Sequence, residues 1–141
     1  IDASPAPRFD LEEEFKLQQT VSDLIRKDTI SAAHDVSDGG LFMTLVEMGL
    51  PRDLGFDILS DSEIRPDAFL FGESQSRAVV SVGEDREDEF LEIAQAADVP
   101  FLMLGHVTRG KMVVDDEHFG FIEEAREIYE TAIEREMDRE K

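Results

Sequence analysis

The sequence predicts a layered α/β (α+β) domain, and three observations carry that expectation. Segments with apolar residues at helical spacing are interspersed with short apolar or alternating runs, rather than gathered at one end. A length of 141 residues suits one domain and is too short for two ordinary ones, and a 41% hydrophobic content supports a packed globule. Glycine- and proline-bearing breaks separate the patterned segments, and no internal repeat or low-complexity run is present.

The elements follow in order. "IDASPAPR", residues 1–8, is unpatterned and reads as a linker from an upstream segment. With no initial methionine, the sequence is expected to be a piece of something longer. The single domain is then expected over residues 9–141. Asp10 and Glu13 form a D-x-x-E helix start. Leu11, Phe15, Val21, Leu24 and Ile25 define one face of the helix that follows. "TISAA" is a short strand and "HDVSDGG" the turn after it. Leu41, Leu45 and Met48 recur at helical spacing, with Gly49 and Pro51 as the stop. "GFDIL" alternates as a half-buried strand does. Residues 60–67 form a polar connection with room for a short helix. "DAFLF" and "AVVSV" predict two strands flanking "GESQSR". An acidic helix runs from Glu84 to Ala97, and "PFLMLGHV" and "KMVVD" predict a strand pair joined through "TRG". A closing helix from Phe121 carries Ala125, Ile128, Tyr129, Ala132 and Ile133 on its apolar face, and "REMDREK" is its solvated end.

Thirty-four acidic against fourteen basic residues give a formal charge of -20. Such a surface repels a nucleic-acid backbone and anionic lipid, so neither nucleic acid nor membrane is an expected partner. No run approaches the length of a membrane span. With no cysteine there is no disulfide framework and no thiolate site, which fits the cytosol. An anionic ligand needs a local exception to the acidity: a glycine-rich backbone, a helix N-terminus, a metal ion or a placed arginine.

Two stretches offer one. In "HDVSDGG" a strand, a glycine-bearing turn and a helix direct N–H groups and the positive end of a helix dipole at one point, where phosphate is a natural guest. Gly39 and Gly40 permit close approach, Ser37 can donate to a phosphate oxygen, and Asp35 can hold a bridging magnesium ion. The competing reading is that Asp38 or Ser37 caps the helix and the glycines only turn the chain. On spacing alone that reading leads, because the stretch is neither a Walker loop nor a dinucleotide fingerprint. His34, at the strand end, reads as a hydrogen-bonded structural residue before a proton shuttle. The second stretch, "FGESQSR", offers Glu73, Ser74, Gln75, Ser76 and Arg77, and Arg77 suits a carboxylate or phosphate. A hairpin loop uses the same letters. His106, in an apolar strand, and His118, in a polar connection, have no second ligand at metal spacing.

Three stretches, "LQQTVSDLIRKDTISAAHDVSDGGLFMTLVEMGL", "DAFLFGESQSRAVVSV" and "VPFLMLGHVTRGKMVV", resemble the last domain of phosphoribosylformylglycinamidine synthase. The resemblance runs in the expected order over about residues 9–134. It implies a three-layer α/β/α arrangement with a mixed sheet, partly ferredoxin-like. It also implies membership of a purine-biosynthetic ligase that uses ATP, magnesium and glutamine-derived ammonia on formylglycinamide ribonucleotide. The family enzyme repeats a two-domain unit, and "HDVSDGG" resembles the second copy. There Asp35 corresponds to a magnesium ligand and Ser37 to a contact of ATP or ADP, while Glu73, Ser74, Gln75 and Arg77 correspond to a relic of the substrate loop. The implied partners are the N-terminal domains of the same synthetase and a glutaminase subunit or domain. If Lys141 is a native end, the small form with a separate glutaminase subunit is implied. The general acid–base histidine belongs to the N-terminal halves, so the isolated fragment is expected to be inactive.

Overall fold

The structure, a computed structural model, describes residues 9–139, with the Arg139 side chain left out. The linker expected over residues 1–8 lies outside the described residues. Helices and strands are interspersed as expected, and the described residues form two sheets. The chain divides into two compact units, one reaching Thr44 and resuming over Asp67–Met103, the other holding Leu45–Pro66 and the chain from Leu104.

The first unit begins with α1 (Leu11–Arg26). The Asp10 carboxylate caps it, accepting from the Glu12 and Glu13 N–H groups at 3.0 and 3.2 Å. Glu12, Glu13 and Glu14 occupy the first turn and Arg26 the last, each on the side the helix dipole favours. Leu24 is buried, whereas Leu11, Phe15 and Ile25 of the expected inward face are largely exposed. Strand β1 (Ile30–Asp35) extends the predicted "TISAA" through His34 and Asp35. It pairs antiparallel with β3 (Ala78–Val82), from Ile30 opposite Val82 to Asp35 opposite Ala78. α2 (Gly40–Gly49) follows the turn at residues 36–39. The predicted acidic helix is a 3-10 turn at Glu84–Arg86 continuing as α4 (Glu87–Ala96), which packs by Ala94.

"DAFLF" is a helix, not a strand: α3 spans Pro66–Phe71. Pro66 at the first position is pre-set for helical φ, Asp67 favours the first turn, and Phe69 and Leu70 are buried. Residues 72–77 therefore join a helix to a strand, which removes the hairpin alternative.

In the second unit the sheet order is β4-β2-β5-β6, with β2 (Gly55–Ile58), β4 (Gly105–Thr108), β5 (Lys111–Val114) and β6 (Glu117–Phe121). It is mixed: β2 and β5 run parallel and the other pairs antiparallel. The expected β4–β5 pair does not form, because β2 lies between them. Of "PFLMLGHV" only Gly105–Val107 is strand, and Phe101, Leu102 and Met103 are exposed. Strand β6 places His118 in the sheet rather than in a connection. A two-residue turn links β5 to it, with Asp115 and Asp116 at φ 50° and 65°. Phe56, Ile58, Met112, Val113, Val114 and Ile122 form the core here. Helix α5 (Ile122–Arg139) starts where expected, but its stripe is not inward: Ile128 and Ile133 are 61% and 78% exposed. Among the described residues no helix is long and apolar enough to cross a membrane.

Candidate functional site

The two unusual stretches meet inside the first unit. Strand β1 delivers Asp35 to the sheet end opposite Ala78, so the turn after β1 lies beside the loop before β3. The Val36 N–H continues the ladder by donating to the Arg77 carbonyl at 3.0 Å. Thr44, 2% exposed, shares its one hydroxyl proton between the carbonyls of Asp35 (3.2 Å) and Gly40 (3.1 Å), tying the strand end to the first turn of α2. A lone hydroxyl within "LFMTLV" was the sequence signal for this residue.

The two glycines turn the chain through left-handed φ values of +79° at Gly39 and +67° at Gly40. Their surroundings differ. Gly40 is buried, and a Cβ there would lie 2.7–2.8 Å from backbone atoms of Leu70 and Phe71. The close approach this glycine allows is thus that of α3. Its N–H donates to the Ser37 carbonyl at 3.0 Å. Gly39 is half-buried, and its N–H donates to Glu73 Oε1 at 3.0 Å. An anion already sits where the sequence reading puts a phosphate oxygen, and it comes from the second stretch.

That contact also resolves the capping question. Ser37 and Asp38 are exposed, and among the described residues neither side chain makes a hydrogen bond. The expected local cap is not used, since the Ser37 carbonyl and the Glu73 carboxylate take the amides of Gly40 and Gly39. His34 Nδ1 is 2.7 Å from the Asp35 carbonyl, which requires the proton on Nδ1. Its distance to Asp35 Oδ1 is 3.5 Å. The Asp35 side chain is 79% exposed.

In the second loop Arg77 folds its own neighbours: Nε donates to the Ser74 carbonyl at 3.2 Å and Nη2 to the Gly72 carbonyl. Partial burial lowers the guanidinium pKa, yet from so high a start the group stays charged. Ser76, itself at φ 60°, donates to Glu14 Oε2 at 2.7 Å, and Gln18 donates to Glu14 Oε1 at 2.7 Å. These two bonds, that from Gln18 first, hold the Glu14 carboxyl below its ordinary range. Glu14 had no signal in the sequence, where it reads as one more acid in the first turn of α1. Glu73, Ser74 and Gln75 are exposed. The Phe42 and Phe71 rings pack beside the turn with centroids 5.8 Å apart.

A magnesium ion fits this donor set only as a bridge. Among the described residues no group of three or more His, Asp or Glu is arranged to enclose a metal. Magnesium commonly takes one or two carboxylates and completes its shell with phosphate and water oxygens, so the exposed Asp35 carboxylate is sufficient.

Residues 2–117 match the model of the AIR synthase related protein, C-terminal domain. The chain belongs to that family. Among curated relatives of this AIR synthase related domain, the phosphoribosylformylglycinamidine synthase subunit PurL of Caldanaerobacter subterraneus subsp. tengcongensis is 36% identical over 137 residues. The match takes in 94% of this chain and 19% of that protein, so the chain spans about a fifth of the relative's length. Among solved structures, Thermotoga maritima PurL complexed with FGAR superposes with a TM-score of 0.69 at 19% identity, covering 85% of this chain and 22% of that one. Thermotoga maritima PurL complexed with ATP gives a TM-score of 0.64 at 18% identity, covering 77% and 20%. At such identity the likeness speaks to the fold, and it agrees with the mixed α/β architecture described above.

Proposed function

We propose that residues 9–141 are the C-terminal synthetase domain of phosphoribosylformylglycinamidine synthase. In that role the domain serves a cytoplasmic, ATP-dependent ligase that converts formylglycinamide ribonucleotide and glutamine-derived ammonia to the amidine. Support comes from family membership, from a relative that bears this enzyme's name, and from neighbours described as complexed with FGAR and with ATP. The observation that carries the reading is the junction of the two motif stretches, Gly39 N–H on Glu73. It brings the turn before α2 and the loop before β3 into one surface, as a shared ligand requires.

Within this reading Gly39 and the start of α2 meet a nucleotide phosphate, and Ser37 Oγ donates to one of its oxygens. Gly40, engaged by Ser37 and α3, shapes the turn. Asp35 is the metal carboxylate, and a bound magnesium ion supplies the positive charge that lets an acidic domain accept a polyphosphate. The remaining partners are the N-terminal domains of the same synthetase and the glutaminase subunit or domain. Glu73, Ser74, Gln75 and Arg77 stand as the relic of a substrate loop. A second reading, a nucleotide that is held and not consumed, is favoured by one observation: His34 Nδ1 is committed to the Asp35 carbonyl and so takes up no proton there.

The test uses the full-length enzyme. Asp35→Asn keeps shape and removes charge, so copurified adenine nucleotide drops while the melting temperature of the nucleotide-free protein holds. Ser37→Ala costs one neutral hydrogen bond, about 0.5–1.5 kcal/mol, and has the smaller effect. Unaltered nucleotide content in Asp35→Asn refutes the metal assignment. Turnover on the same protein separates the two readings: a consumed nucleotide loses rate directly, a held one loses stability or assembly first.

A further inference from the structure

We infer that Glu73 is a latch, whose carboxylate holds the Gly39 N–H until a nucleotide phosphate displaces it. The inference rests on the proposed nucleotide reading of this loop and adds a means of regulating it. One N–H hydrogen serves one strong acceptor, and two anions at the same donor repel each other. Phosphate and Glu73 therefore compete for Gly39, rather than binding side by side.

Three observations make this contact a latch rather than a fixed brace. First, a local cap lies at hand and is left unused: Ser37 and Asp38 directly precede the glycines, and among the described residues neither side chain is hydrogen-bonded. The amide is held instead by a residue 34 positions away. Second, the other ties between the two stretches are backbone contacts that do not need Glu73. Val36 N–H bonds the Arg77 carbonyl, and Gly40 rests on the backbone of Leu70 and Phe71. Third, Arg77 fastens the carbonyls of Gly72 and Ser74, so the loop keeps its shape when the Glu73 side chain swings away. Glu73 is exposed, and water can receive its carboxylate at once. The movable part is a side chain, and releasing it leaves the fold intact.

The experiment titrates the full-length enzyme with magnesium ADP and reads occupancy by hydrogen exchange of the peptide covering residues 36–41, which reports this loop and not the enzyme's other nucleotide sites. Without nucleotide, that peptide exchanges faster in Glu73→Ala than in wild type. With nucleotide, Glu73→Ala binds more tightly by roughly three- to tenfold, the effect of one exposed charge-assisted hydrogen bond removed from the competition. Glu73→Gln shifts the same way by less, since its amide oxygen accepts without charge, and it replaces Glu73→Ala if that variant melts early. Unchanged or weaker ADP binding in the Glu73 variants, with Asp35→Asn still weakening it, overturns the latch and leaves the nucleotide reading standing. ADP that protects residues 36–41 in no variant, wild type included, overturns both.

Discussion

Replacing Gly40 by alanine is a severe test of how the candidate site is built. The added Cβ would stand 2.7 Å from the Phe71 carbonyl carbon and 2.8 Å from both the Leu70 oxygen and Phe71 Cα. All three are backbone atoms at the end of α3, so no rotamer change relieves the clash. Overpacking of this kind costs about 1–3 kcal/mol. The φ of +67° adds the left-handed penalty for an L-residue, about 1–2 kcal/mol. The sum, about 2–5 kcal/mol, is a large share of the roughly 5–15 kcal/mol that holds an ordinary domain folded. Gly39→Ala is the control. Its φ of +79° brings similar strain, but its Cβ would meet Met43 Cγ at 2.4 Å and Cβ at 3.0 Å. A change of rotamer can carry Met43 Cγ aside while its Cβ, fixed by α2, stays in tight contact, so the backbone term of about 1–2 kcal/mol is joined by a smaller packing cost than at Gly40. Urea titration of the full-length protein, with hydrogen exchange read on peptides from β1 and α2, gives the local stability of each variant. Gly40→Ala is expected to lose about twice what Gly39→Ala loses. A Gly40→Ala protein within about 0.5 kcal/mol of wild type, or the reverse order, refutes the packing argument.

Two further outcomes follow from single polar groups. Thr29 is 1% exposed and its Oγ1 has no partner among the described residues, so the isosteric Thr29→Val is expected to stabilise by about 1 kcal/mol in the same urea assay, and a loss of stability refutes it. Glu14 has a folded pKa below its ordinary value, so its stabilising contribution is present above the ordinary carboxylate pKa and is lost as pH falls through the lowered one. Ser76→Ala returns that pKa part of the way, since the larger contribution from Gln18 remains, and flattens the acid limb of the melting profile; an unchanged limb counts against the Ser76–Glu14 tie.

Local signals in the sequence were read well where a local cause decides the structure. Asp10 caps α1 because its side chain and the amides it serves are two and three residues apart. "DAFLF" misled because a short apolar run looks alike in a buried strand and a buried helix, and the deciding residue, Pro66, stands just outside it. Strand β6 was missed because Asp115-Asp116 makes its turn without the Asn-Gly signal, each aspartate tolerating positive φ. Lys111–Val114 was assigned the wrong partner because β2, distant in sequence, intervenes, and no local pattern reports that. The stripe of α5 had the right period, yet periodicity tells which residues share a face and not whether anything covers it.

The same limit governs the candidate site. Both stretches stood out as local exceptions to the acidity, and each was singled out on its own. Their union depends on a carboxylate and an amide 34 residues apart, which neither stretch contains by itself. The adjacent glycines make the point sharpest. As letters they are equivalent, and both read as room for a ligand. In the fold, Gly40 makes room for α3 and has its N–H engaged by the preceding turn, while Gly39 presents its N–H to the exposed carboxylate of Glu73. A substitution at Gly40 is therefore an assault on packing, whereas one at Gly39 disturbs the donor for which, in the proposed latch, phosphate and Glu73 compete. If the two positions responded alike in both stability and nucleotide binding, that division of labour would be wrong.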